Sequence, residues 1–277
     1  MATCSATLRS AILSSADLSS AIFSLATPNT VTLSSAWRFS ARLFSDRLLV
    51  WGGCLALVWV GWLLFRLRSD RAWVWWPTLC WMRWKQRSMA FAPGGIVFAG
   101  SSSIRYWESL VPDMAPLRVL GQGFGGSKLS QLVTWTDRLI IAHQPRAVVV
   151  YSGENDLAGL LGSRRKTADD LVPMFGQIVE RVQAQLPATR IYWVSIKKPP
   201  ARREIWPEVD RANQLLAEFC AGDPRCGVID VLTPMCDDWG VPREELYGAD
   251  GIHLNESGYA VWTAVIRPRL LAESPEP

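Results

Sequence analysis

Four short clusters bring together the side chains in this sequence best placed to do covalent chemistry. The first is Gly100-Ser101-Ser102-Ser103, followed by Trp107. A serine just past an apolar strand, at the start of a helix, has its hydroxyl at the sheet edge, where helix amides favour a developing negative charge. The second, Gly121-Gln122-Gly123-Phe124-Gly125-Gly126-Ser127, is dense enough in glycine to let backbone approach a ligand closely. The third, Gly153-Glu154-Asn155-Asp156, offers an amide N–H that could be aimed at an oxyanion; Asx turns use asparagine after strands too. The fourth, Asp250-Gly251-Ile252-His253, sets a carboxylate three residues before one of only two histidines. One imidazole nitrogen can then bond the carboxylate while the other faces a nucleophile.

Other chemistries fit these residues less well. Two distant histidines and no ligand cluster cannot build the three- or four-ligand shell that zinc prefers, so no metal is expected. His143 stands before Gln144-Pro145 at the end of a predicted helix and reads as a surface or capping residue. The GxGxxG at Gly121 follows a short strand and lacks an acidic partner at the expected distance, and there is no GxxxxGK[ST], which disfavours a nucleotide. Gly100 to Ile104 lacks the second glycine of a G-x-S-x-G elbow.

Taken in order, the four clusters resemble the blocks of the SGNH hydrolases, also called GDSL-type lipases and esterases, over about residues 92–271. Ser101 stands where the family usually has Asp, which leaves Ser101, Ser102 and Ser103 open as nucleophile until Gly100 and Trp107 are matched, selecting Ser102. Gly121 replaces a frequent Asn. The resemblance implies a serine esterase without a cofactor: Ser102 as nucleophile, His253 as base, Asp250 orienting the imidazole, and the Ser102 and Gly126 N–H groups with the Asn155 amide as oxyanion hole. Trp107, Phe124, Leu157 and Ile252 are candidates for the substrate pocket. The stretch Ser195-Ile196-Lys197-Lys198-Pro199 also resembles parts of the family. An acyltransferase on the same scaffold, or a binding module with a silent site, are the rival readings.

The elements that must position these clusters are legible as alternating strands and helices. Residues 96–99, 118–120, 147–151, 190–196 and 228–231 read as five strands, mostly continuous apolar runs of the kind covered on both faces. Between them, Ser127 could cap a helix carrying Leu129, Leu132, Leu139 and Ile140. Thr167, with Asp170 three residues on, caps a second; Val209, Ala212, Leu216 and Phe219 mark a third; Asn255 caps the last. Parallel strands need such crossovers, so the expected domain, residues 93–272, is a three-layer α/β fold of flavodoxin-like type with a five-stranded parallel sheet. Ligands gather at the C-terminal strand ends of such sheets, where all four clusters fall.

The first ninety residues differ in character. Residues 1–46 are rich in Ser and Ala, with a five-residue echo from Ser5 to Asn29 that resembles a degenerate pentapeptide repeat too short to bury a core. An uncharged run from Leu48 to Phe65 would span roughly 27 Å, the thickness of a bilayer core. We expect a single-pass anchor at 47–66 rather than a cleaved signal peptide, since a long leader precedes the run and no small-residue cleavage site follows it. Residues 67–92, with five tryptophans among Arg68, Arg71, Arg83, Lys85 and Arg87, suit a headgroup layer. Basic residues flank the run on both sides, more of them after it, and leave the side of the membrane open. The net charge of +4 collects beside this segment, which argues for a membrane surface and against nucleic acid. Cys220 and Cys226 could bridge a short loop or serve as two small apolar residues.

Overall fold

The computed structural model describes residues 35–86 and 91–272, with side chains from Trp51 onward except Leu161. Residues 1–34 of the expected leader, with its five-residue echo, and the tail 273–277 lie outside the described residues. The chain divides after Val58 into two units. Helix α1, Ser35–Arg68, begins in the first unit and ends in the second. Its window Trp51–Arg68 has a mean hydropathy of 1.2, holds no buried residue, and is long and apolar enough to cross a membrane.

The second unit holds five parallel strands in the order β2-β1-β3-β4-β5. They are β1 (Ile96–Gly100), β2 (Val119–Gly123), β3 (Ala147–Tyr151), β4 (Arg190–Val194) and β5 (Cys226–Ile229). Side chains alternate between the faces of a strand, so each buried strand feeds two cores. Val97, Ala99, Val148, Val150, Ile191 and Trp193 pack into one. Ile96, Phe98, Val149, Tyr151, Tyr192 and Val194 pack into the other. The first core is covered by helices α8 (Ala168–Gln185) and α9 (Trp206–Ala221), the second by α10 (Glu256–Ala272), which buries Tyr259, Trp262, Ile266 and Leu270. The Thr167 N–H donates to Asp170 and the Gly258 N–H to Asn255, so both expected caps form.

Three differences from the sequence reading have local causes. The helix expected after Ser127 breaks into α5 (Leu129–Thr134) and α6 (Thr136–Leu139), and Lys128 rather than Ser127 occupies its N-cap. Ser127 instead turns its hydroxyl to the Gly100 carbonyl at 3.5 Å, while the Asp156 carboxylate takes the Leu129 N–H at 2.7 Å. Strand β5 lies two residues earlier than expected, because its register is set by β4, Ile191 against Cys226. The core also reaches upstream of residue 93. Helix α2 (Trp76–Gln86) and the 3-10 turn before it bury Val74, Trp75, Leu79 and Met82 in the first core, leaving Trp73, Trp76, Trp81 and Trp84 exposed. Cys220 and Cys226 are buried free thiols.

Candidate active site

With strand order 2-1-3-4-5, the chain leaves β1 for one edge of the sheet and then returns to β3, which opens a crevice past the carboxyl ends of β1 and β3. Gly100 ends β1 and is paired with Gly123 on one side and Tyr151 on the other. The next residues make a single turn, α3 (Ser102–Arg105). Ser101 and Ser103 are buried, at 4% and 2% exposure, and only Ser102 keeps open surface. One turn is too short for an accumulated dipole, so any help for an anion here comes from individual backbone N–H groups.

The glycine-rich cluster divides in two. Gly121 and Gly123 belong to β2, and a Cβ on Gly123 would collide with the Arg105 backbone of α3. Gly123 thus serves close packing of α3 on the strand, while Gly121 faces the Leu110 side chain. Beyond them the chain turns, with Phe124 donating its N–H to the Gly100 carbonyl at 3.1 Å and Gly126 at φ +79°, where a side chain would be strained.

Asn155 lies in the first turn of α7 (Glu154–Ala158), just past β3, and is 5% exposed. Its Nδ2 donates to the Ser127 carbonyl at 2.9 Å, and its Oδ1 accepts from the Arg202 guanidinium at 3.3 Å. Asp156 is fully buried, caps α5 through the Leu129 N–H and accepts Lys166 Nζ at 2.5 Å. Burial raises its carboxyl above the ordinary range despite Lys166. The turns after β2 and β3 are thus pinned together.

His253 and Asp250 form the second half. Asp250 Oδ2 meets His253 Nδ1 at 2.5 Å, while Oδ1 accepts the Ile252 and His253 N–H groups, both at 2.9 Å. Burial works to raise the Asp250 carboxyl, but these two backbone donors and the imidazole outweigh it and hold the group down at about 2. The His253 ring stands edge-on to Tyr106, centroids 4.9 Å apart, and the Tyr106 N–H closes the α3 turn on the Ser102 carbonyl at 2.8 Å. Tyr259 of α10 donates its phenol to the Ser103 carbonyl at 2.8 Å. One tyrosine thus ties the Ser102 turn to the imidazole loop and another ties it to the last helix, although 151 residues separate Ser102 from His253.

Of the four candidate pocket residues, Trp107, Phe124 and Leu157 are 3%, 0% and 2% exposed. Trp107 stacks on Tyr259 and bonds Asp113, and Phe124 packs edge-on to Trp75. Ile252 alone of the four keeps surface open beside His253. His143 is half-buried rather than superficial: it contacts the Gln122 amide at 2.6 Å and Phe91 edge-on, and burial with nearby Arg83 lowers its pKa. Sequence reasoning gave no role to Tyr106, Tyr259, Lys197 or Arg202. Only Lys197 left a trace, within the Ser195–Pro199 stretch that resembles parts of the family.

The three-layer α/β domain thus carries a serine just after its first strand and an aspartate–histidine pair just before its last helix. The sequence profile of the GDSL-like Lipase/Acylhydrolase family matches residues 88–261, more than half the chain, and the protein belongs to that family of ester hydrolases. Solved structures share the fold. A GDSL-like lipase from Bacteroides thetaiotaomicron is 19% identical at a TM-score of 0.61, covering 71% of this chain and 98% of its own. The lipase/acylhydrolase from Enterococcus faecalis is 18% identical at 0.50, covering 66% and 99%. An acetyl esterase mutant with acetate ion is 13% identical at 0.53, covering 65% and 97%. No curated protein matches the chain by sequence.

Proposed function

We propose that the protein is a membrane-held serine esterase that cleaves carboxylic esters through an acyl-enzyme on Ser102. The observation that carries this reading is the Asp250–His253 pair, packed through Tyr106 against the turn that Ser102 begins. Ser102 Oγ attacks the ester carbonyl as His253 Nε2 takes its proton, and Asp250 keeps the other imidazole proton on Nδ1 and stabilises the ring once charged. The tetrahedral oxygen is held by the Ser102 and Gly126 N–H groups and by the Asn155 N–H not engaged by Ser127. Collapse expels the alcohol, which takes the proton from His253. A water activated by the same imidazole then releases the acid. The exposed apolar window of α1 supports a single-pass anchor, and the exposed tryptophans of 73–84, with Arg83 and Lys85, support headgroup contact.

A serine-directed fluorophosphonate and a chain-length series of p-nitrophenyl esters test the proposal. Wild type is expected to be labelled and to turn over. Ser102→Ala is expected to lose both, with Ser101→Ala and Ser103→Ala still labelled. Undiminished hydrolysis by folded Ser102→Ala would overturn the assignment.

A further inference from the structure

Between the asparagine turn and the histidine loop lies a sealed group of charges that the proposed mechanism does not use. Lys197, in the loop after β4, is 0% exposed and Glu154 is 5% exposed. Lys197 Nζ donates to Glu154 Oε2 at 2.5 Å and to the Ile252 carbonyl at 2.7 Å. Tyr151 donates its phenol to the same carboxylate oxygen at 3.0 Å. Arg202 Nη1 completes the group, reaching Glu154 Oε1 at 2.8 Å and Asn155 Oδ1 at 3.3 Å.

Burial alone would push the Glu154 carboxyl up, but Lys197 and Arg202 outweigh it and leave it below the ordinary carboxylate range. Desolvation lowers the Lys197 ammonium, and Glu154 opposes that shift. The geometry, with two cations on one carboxylate, is that of an ionised cluster. Buried ion pairs seldom stabilise a fold more than apolar side chains of the same volume would. What distinguishes this one is where its spare donors go. One ends on the residue before His253, the other on the oxygen of the Asn155 amide.

The second contact fixes a sense of direction. With Oδ1 facing a guanidinium, Nδ2 must face the Ser127 carbonyl and the site; flipped, the amide would set N–H groups against Arg202 and its oxygen toward a developing anion. We propose that Arg202 and Lys197, held by Glu154, are positioning residues: Arg202 sets the Asn155 amide nitrogen-first toward the oxyanion, and Lys197 holds the His253 loop by the Ile252 carbonyl. This rests on the esterase reading above.

The two arms differ in their consequences. Arg202→Met is expected to lower kcat by about tenfold or more with KM little changed, since the donor is misdirected while the substrate surface stays. Arg202→Lys supplies the charge but ends one bond short of the Nη1 position that serves both Glu154 and Asn155, so it is expected to restore the unfolding midpoint and leave kcat low. Full recovery of kcat in Arg202→Lys would show that charge alone matters and overturn the inference. Lys197→Met combined with Glu154→Gln removes both partners and avoids a stranded buried charge. It is expected to depress kcat and shift the pH profile of kcat/KM, whereas wild-type values for both would overturn the Lys197 arm. The side-chain amide NMR signals of Asn155, identified by their loss in Asn155→Ala, report the tether independently of turnover. The two protons stay distinct in any variant because the amide C–N bond rotates slowly, but their shifts should move towards free-amide values and their exchange with solvent should quicken in Arg202→Met; unchanged signals would refute the tether even if the chain hydrolysed no ester.

Discussion

Replacing Asp250 by asparagine is the sharpest single test of the proposed site, because the structure says which bonds survive. The new side-chain amide would keep an oxygen where Oδ1 accepts the Ile252 and His253 N–H groups, so the loop should hold its shape. Its nitrogen would stand where Oδ2 now meets His253 Nδ1. An amide nitrogen only donates, so the imidazole must offer a bare Nδ1 and carry its proton on Nε2. That proton blocks the nitrogen that should receive the serine's. In protease triads the equivalent change costs about 10⁴ in kcat. Here the carboxylate is 47% exposed and the imidazole 32%, so water can support a fraction of the productive tautomer. The expected loss is therefore about a hundred- to ten-thousandfold in kcat, with KM near wild type and the unfolding midpoint only slightly lowered. Steady-state hydrolysis of a p-nitrophenyl ester beside a thermal melt measures all three. A folded Asp250→Asn enzyme working within about threefold of wild type would refute the tautomer argument.

Three further outcomes follow from the same geometry. Asn155→Ala should cut kcat by about a hundredfold or more through loss of an oxyanion donor. It should also lower the melting point, because the Ser127 carbonyl loses its partner; a normal kcat would remove Asn155 from the mechanism. Asp250, held at about 2 against an ordinary 3.8, adds stability that is present above pH 4 and lost as pH falls towards 2. Exposure screens this contribution well below the roughly 1.4 kcal/mol per unit of an unscreened shift. Acid unfolding curves of wild type and Asp250→Asn should accordingly converge near pH 2, and parallel curves would contradict that. The full-length chain should resist alkaline carbonate extraction from membranes and need detergent, where release by carbonate would argue against an anchor.

The fold was legible because parallel strands buried on both faces are written as short unbroken apolar runs, as in Ala147–Tyr151, and the helices between them carry caps such as Thr167 and Asn255. The four clusters could be placed at strand ends for the same reason. Burial was harder to foresee. Trp107 and Phe124 look like pocket residues beside reactive groups, yet aromatic partners from distant segments, Tyr259 and Trp75, draw them into the cores. The Glu154 cluster was hidden because its members are 43 and 48 residues apart and only the crossover between β3 and β4 brings them together. Residues 74–82 read as a surface layer because tryptophans and basic residues crowd the stretch 67–92, and nothing in their spacing singles out the four side chains, Trp75 among them, that face the core.

The phenol of Tyr259, bonded to the Ser103 carbonyl, joins the first turn of α10 to the residue beside the proposed nucleophile. Loosening that starts at the carboxyl end can thus reach the chemistry without disturbing a single strand. Enzymatic function should fade before spectroscopic signs of melting, and a bulky fusion after residue 272 would be felt by turnover sooner than by any measure of the central sheet.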